Sequence, residues 1–147
     1  MSLKKIILGM LFVASSLLAS EINWAKDYKS GIKDAVAQNK PVVFISSRHS
    51  CKWCVVLDDK TLKDPKVIEA LNRDFVAIIA YSDENDYMPR DLYTPGTPSI
   101  WFLKSDGEPM YQPIAGYIKT PQMLQALAII KEEFNAPKTA PTKTGTK

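Results

Sequence analysis

The chain has 147 residues, 46% hydrophobic, 24% charged and 10% aromatic, with a formal net charge of +3. That apolar content suffices for one packed core and excludes a wholly disordered chain. The near-balanced charge, with no basic stripe and no basic–aromatic interleaving, argues against nucleic acid as a partner, and no repeat of solenoid period is present.

Lys4 and Lys5 precede an apolar, small-residue run from Ile6 to Ala19, which Ser20 closes before polar Glu21. A positive start, a short apolar run and small residues at its end form the secretory signal pattern. The run is shorter than the roughly 20 residues a membrane-spanning helix needs. Leu18-Ala19-Ser20 offers no cysteine for lipidation. The expectation is a signal peptide over residues 1–20, cleaved after Ala19 or Ser20. The product is a soluble periplasmic or otherwise exported protein, with no stable membrane insertion.

Trp24, Tyr28, Ile32 and Val36 recur every four residues, which predicts the buried face of a first helix. Asn39-Lys40-Pro41 ends it. Pro41 to Ile45 is apolar throughout, a buried strand of the kind parallel sheets use. Ser46 to Ser50 is predicted as a polar loop, with Ser50 capping a helix that starts at the cysteines. That helix fades near Lys63, and Asp64-Pro65 cap and open a second one through Leu71. Phe75 to Tyr81 is the next buried strand.

Ser82 to Gly96 is a polar loop ending in Thr97-Pro98, and Ser99 to Leu103 is a third strand. Ser105-Asp106-Gly107-Glu108 signals a hairpin turn, with Pro109 to Gln112 returning antiparallel. Thr120 is expected to cap a last helix, with Pro121 in its first turn and an apolar stripe of Met123, Leu127, Ile130 and Phe134. Residues 136–147 are rich in Pro, Thr, Lys and Ala and are expected to form a disordered tail. One domain is left over residues 21–135.

The chain's two cysteines stand together as Cys51-Lys52-Trp53-Cys54. Two intervening residues let both thiols meet across the first turn of a helix. They can then close or open a small-ring disulfide with little backbone movement. A purely structural disulfide over so short a loop stabilises little. Zinc takes four ligands, and the chain offers two cysteines and one histidine, His49, unless carboxylates complete the shell. Cu(I), which soft thiolates favour, is a rival ligand for Cys51, Cys54 and His49. Exchange chemistry is the leading reading, because the pair follows a strand and opens a helix. It requires no cofactor. Cys51 at the helix start gains from the macrodipole, and thiolate is the nucleophile. Lys52 and His49 add positive potential as tuning residues. Asp58 and Asp59 oppose it and are screened if exposed.

This order of elements resembles the thioredoxin fold over Glu21 to Phe134. Cys51 and Cys54 follow strand 42–45, Thr97-Pro98 precedes strand 100–103, and Gly116 precedes the last helix. The fold implied is α/β and three-layered, a central mixed sheet flanked by helices. More narrowly, Lys40-Pro41-Val42-Val43, the Cys-x-x-Cys, Asp64-Pro65-x-Val67 and Phe75-Val76 resemble an exported thioredoxin-like subgroup. That subgroup includes the C-terminal periplasmic domain of the transmembrane disulfide-reductase system.

The resemblance implies that Cys51 attacks, Cys54 resolves, and a Cys51–Cys54 disulfide forms. It makes Thr97-Pro98 a cis-proline loop beside the cysteines, with Thr97 as the edge on which an extended substrate strand pairs. Propensity alone does not predict this, since only about 5–6% of X–Pro bonds in folded proteins are cis. Three departures stand out. Ser50 replaces the family's Trp before the first cysteine, and Lys-Trp replaces Gly-Pro between them. The family's buried acid on the central strand falls at Ile45, so a proton acceptor for Cys54 is missing there. Trp53 reads as a hydrophobic contact for protein substrates.

The expected function is an exported thiol–disulfide oxidoreductase that reduces or isomerises protein disulfides. Its expected partners are proteins with disulfides or thiols and a membrane redox protein that resets the pair. The alternatives are a thiol oxidase of the same fold, the Cu(I)-binding module, and a redox-dead domain that binds peptides at Thr97-Pro98.

Overall fold

The structure, a computed structural model, describes residues 20–137. The expected signal peptide before Ser20 and the expected tail beyond Pro137 lie outside the described residues.

Three apolar runs and a short edge build the sheet. They are β1 (Val42–Ser47), β2 (Val76–Tyr81), β3 (Ser99–Leu103) and β4 (Ile114–Ala115). Their order is β2-β1-β3-β4. β1 runs parallel to β2 and antiparallel to β3, so Phe44 lies between Ile78 and Trp101. β1 is buried along its whole length. A strand covered on both faces reads as a continuous apolar run and not as alternation. Ser46 and Ser47, predicted in a loop, extend β1 because the ladder continues to Ala80, Tyr81 and Ser99.

Strand alternation divides the core between two layers. Val43, Ile45, Ile100 and Phe102 face one side, with Leu57, Leu71, Met123 and Leu127. Val42, Phe44, Ile78, Trp101 and Leu103 face the other, with Ala35 and Leu92. α1 (Tyr28–Gln38) covers the second side. The first side is covered by α2 (Lys52–Val56), which runs on as a π turn over Leu57–Thr61, by α3 (Pro65–Asp74) and by α4 (Thr120–Asn135). This is the expected three-layer α/β arrangement with a mixed sheet. Among the described residues no helix is long and apolar enough to cross a membrane.

Four details differ from expectation. Trp24 precedes α1 and bridges to Ala77 in parallel. The buried face of α1 is Gly31 and Ala35, while Val36 is 57% exposed. α1 approaches the sheet so closely that a Cβ at Gly31 would meet Ile78 Cδ1 at 2.5 Å, so small residues mark that face. Asp64 caps α3 as expected, accepting from the N–H groups of Lys66 and Val67, but α4 has Lys119 at its cap position and no side-chain cap, with Thr120 already helical. The turn at 105–108 forms, with Gly107 N–H donating to Lys104 O at 3.0 Å. Its return strand does not form at 109–112: Pro109 makes a lone bridge to Leu103, and regular pairing resumes only at β4. Pro109 and Pro113 have no N–H to give to a ladder.

Candidate active site

Cys51 takes the N-cap position of α2, the place expected for Ser50. Its backbone is extended, and its Sγ accepts from the N–H of Cys54 at 3.2 Å. The preceding loop explains the change of cap. The N–H groups of His49 and Ser50 both donate to the Asp83 carboxylate, at 2.8 and 3.3 Å. That carboxylate draws residues 49 and 50 toward the end of β2 and leaves the cysteine to cap the helix. Cys51 is half-buried, whereas Cys54, one turn inward, is 1% exposed. The two thiols therefore differ in access before any difference in acidity.

The Thr97–Pro98 bond is cis. The Thr97 carbonyl lies 3.3 Å from Cys51 Sγ and accepts from its thiol. The buried Pro98 passes its own carbonyl to the N–H of Gly116, at 2.8 Å. Gly116 turns the chain at φ +87°, in the left-handed region that favours glycine. Thus the loop entering β3, braced by the residue after β4, meets the helix carrying the cysteines at the Cys51 sulfur.

Burial pushes the Cys51 thiol up. Hydrogen bonds from the Cys54 and Thr97 side chains, and from the N–H groups of Cys54 and Trp53, outweigh it and hold the thiol below its ordinary value. Cys54 goes the other way. Burial comes first, then the hydrogen bond with Cys51, and together they exceed the opposing effects of Ser47, Thr97 and Arg48. At a given pH the accessible sulfur is therefore the richer in thiolate, the form that attacks a disulfide.

The structure brings Cys51, Cys54, Thr97 and Pro98 together and gives the two expected tuning residues partners of their own. The Lys52 ammonium stands 5.4 Å from the centroid of Trp53. The His49 ring stacks on Tyr81 at 4.1 Å and bonds to Glu84 at 2.7 Å. The shift at Cys51 is carried by the sulfur's own hydrogen bonds. Trp53 is 51% exposed and stacks on Tyr117. Ile45, where the family has an acid, is fully buried in the apolar core.

Several neighbours were missed from sequence. Asp58, a charge expected to be screened if exposed, is half-buried. Burial and then Asp59 raise its carboxyl against the pull of His49 and Lys63. Tyr81 is raised by burial and then by Asp58, Glu84, Cys54 and Asp83. Tyr117 carried one usable signal, its place directly after Gly116. Its contact with Trp53 spans 64 positions and leaves no periodic trace. Among the described residues no group of three or more His, Cys, Asp or Glu is placed to hold a metal ion.

A protein-family model for the thioredoxin-like domain matches residues 28–131. No curated protein matches the sequence. Among solved structures, a thioredoxin from Thermus thermophilus is 23% identical, with 80% of this chain and 92% of that one covered and a TM-score of 0.66. The oxidised C-terminal domain of DsbD from Neisseria meningitidis is 22% identical, covering 69% of this chain and 90% of its own, with a TM-score of 0.54. A DsbH oxidoreductase is 13% identical, covering 79% and 89%, with a TM-score of 0.59. Identities this low carry the fold alone.

Proposed function

The chain belongs to the thioredoxin-like domain family, and from that premise we propose that it is an exported oxidoreductase that reduces or isomerises disulfides of other proteins. The observation that carries the proposal is the inequality of the two thiols. One is accessible, hydrogen-bonded as an acceptor and shifted down; the other is buried and shifted up.

In this reading the Cys51 thiolate attacks one sulfur of a substrate disulfide. The Cys51–substrate bond forms as the substrate S–S bond breaks, and the second substrate sulfur leaves as a thiolate and takes a proton from water. Cys54 then loses its proton and attacks the Cys51 sulfur. The substrate departs as a dithiol, two electrons richer, and the protein is left with a Cys51–Cys54 disulfide. For isomerisation the first mixed disulfide is instead resolved by another substrate thiol. A dithiol protein, in the expected scheme one held in the membrane, supplies the two electrons that reset the pair. Thr97 offers its backbone to the substrate segment, and Trp53 touches it.

Export rests on the Lys4-Lys5 and Ile6–Ala19 pattern. The direction of electron flow rests on the environment of Cys51. Stabilising the thiolate stabilises the reduced protein and raises its potential. The hydrogen bonds to the Cys51 thiolate act in that direction, whereas no charge from Lys52 or His49 adds to them, and this limited stabilisation favours a reductant or isomerase over a strong oxidant. Equilibration with glutathione tests this: a potential near the roughly −120 mV of a dedicated oxidant makes disulfide formation the better reading. Trapping tests the chemistry itself. Cys54→Ala should accumulate proteins covalently held on Cys51 and released by dithiothreitol. Absence of such adducts from both Cys54→Ala and Cys54→Ser refutes the exchange mechanism.

A further inference from the structure

Local chemistry favours Ser50 as the cap of α2. A serine hydroxyl is among the strongest N-cap acceptors, whereas a thiol sulfur accepts weakly. Cys51 holds the place nonetheless, its backbone extended at φ −95° and ψ 118°. A constraint from outside the helix must therefore deny Ser50 the cap.

The Asp83 carboxylate supplies that constraint. One of its oxygens, Oδ2, accepts from the N–H of His49 at 2.8 Å and from the N–H of Ser50 at 3.3 Å. These two residues form the middle of a tight turn, closed by the Cys51 N–H donating to the Arg48 carbonyl at 3.3 Å. With both central N–H groups aimed at one oxygen, the turn ends at residue 50. The helix then opens with Val55 N–H donating to the Cys51 carbonyl at 3.1 Å. The 3-10 turn that carries Asp83, Ser82–Glu84, also grips the His49 side chain, whose ring bonds to Glu84 and stacks on Tyr81. Desolvation pushes the Asp83 carboxyl up. Hydrogen bonds from the N–H groups of Ser50, His49 and Asp83 itself, and then the His49 ring, outweigh it and hold the carboxyl below its ordinary value. The bonds to the turn are therefore bonds to a charged acceptor.

The consequence falls on the Cys51 sulfur. At the cap it accepts from the N–H of Cys54 at 3.2 Å. With Ser50 at the cap, the serine hydroxyl would take an N–H of the first turn. Cys51 would then lie inside the helix, where its side chain can no longer fold back on that donor. Resting on the exchange reading above, we propose that Asp83 is a positioning residue for the attacking cysteine. By holding the backbone of residues 49 and 50, it keeps Cys51 at the cap against the rival claim of Ser50, and so keeps the sulfur on the Cys54 N–H. Its own negative charge disfavours a nearby thiolate. Position and charge thus act on the Cys51 thiol in opposite directions, and the sign of the effect separates them.

The rate at which iodoacetamide labels Cys51, followed against pH in a Cys54→Ala background, tests the proposal, since the midpoint of that profile reads the ionisation of the Cys51 thiol. The background keeps the backbone N–H at position 54. Asp83→Ala should raise the midpoint by about one unit, equivalent to about 1.4 kcal/mol. Asp83→Asn keeps an oxygen that can accept both N–H groups and should show no such rise. Ser50→Ala, added to Asp83→Ala, removes the rival cap and should recover most of the rise. Both N–H groups lie at the surface, where water can take them, so Asp83→Ala should keep its fold, as urea unfolding will show. An unmoved or lowered midpoint in Asp83→Ala overturns the proposal. So does a midpoint in Asp83→Asn equal to that in Asp83→Ala, or a rise that Ser50→Ala leaves intact. With the Cys54 thiol restored and a Brønsted β of about 0.4–0.5, tenfold less thiolate is partly offset by about threefold greater nucleophilicity, so Asp83→Ala should reduce a model disulfide about threefold more slowly at neutral pH. If the parent protein reduces neither a model disulfide nor glutathione disulfide, the exchange reading has failed, and the labelling profiles still decide the role of Asp83.

Discussion

Thr61 offers the sharpest test of how the site is held. Its side chain is fully buried, and its hydroxyl donates to the carbonyl of Ile118 at 2.7 Å, tying the π turn below the cysteines to the residue after Tyr117. Thr61→Val keeps the shape and the β-branching but puts a methyl group against that carbonyl. An acceptor stranded without a partner costs about 1–3 kcal/mol, a large share of the roughly 5–15 kcal/mol that separates a folded domain from its unfolded chain. With a urea slope of about 2 kcal/mol per molar, a loss of about 2 kcal/mol lowers the unfolding midpoint by about 1 M, with the slope unchanged. Thr61→Ser keeps the hydroxyl and should lose less. A midpoint moved by under about 0.2 M in the valine variant would mean that the Ile118 carbonyl finds water, and that the bond does not hold the Tyr117 segment.

Other outcomes follow from the same structure. Reduced protein treated with iodoacetamide near neutral pH should label first at Cys51, at a lower pH than an ordinary thiol requires, with Cys54 lagging until the pH is raised; faster labelling of Cys54 would reverse the roles. Asp58 keeps its proton in the folded chain at pH values where the unfolded chain has lost it, so its contribution is most favourable below the carboxylate range and falls as pH rises through it. Asp58→Asn should therefore gain stability over the parent at neutral pH and lose that gain in acid; a pH-independent difference refutes the assignment. Gly31→Ala drives a Cβ to within 2.5 Å of Ile78 and should cost about 1–3 kcal/mol by overpacking, visible as a lower midpoint in thermal or urea unfolding. Unchanged stability would mean that α1 slides outward without loss.

The strands were legible because a sheet covered on both faces writes its interior as unbroken apolar runs. Pro41–Ile45, Phe75–Tyr81 and Ser99–Leu103 needed no partner to be recognised. α1 was harder. A four-residue period selects Val36, but the face is set by how closely the helix can approach Ile78, which favours Gly31 and Ala35. β4 was hidden because prolines interrupt its approach and only two residues pair. At the site, Cys51, Cys54 and Thr97-Pro98 were readable from spacing and resemblance. The Asp83 carboxylate that displaces Ser50 from the cap was not, since it reaches across 33 positions. The Trp53–Tyr117 stack lay equally beyond any local pattern.

The π turn gives the chain behind the cysteines an unusual tolerance. Leu62 N–H reaches back five residues to Leu57 O, at 3.0 Å, and both leucines are buried. In an unbroken α-helix, residues five apart point about 140° away from each other, which would turn Leu62 out of the core. The wider turn in effect accommodates one residue more than an α-turn. Loss of exposed Lys60 would leave the leucines four apart, about 40° from alignment in an ordinary helix, with the cysteines unmoved. Gain of a residue at the same place has no such outlet. Shortening by one is the change in length that this segment can absorb without rotating Cys51 and Cys54 away from Thr97.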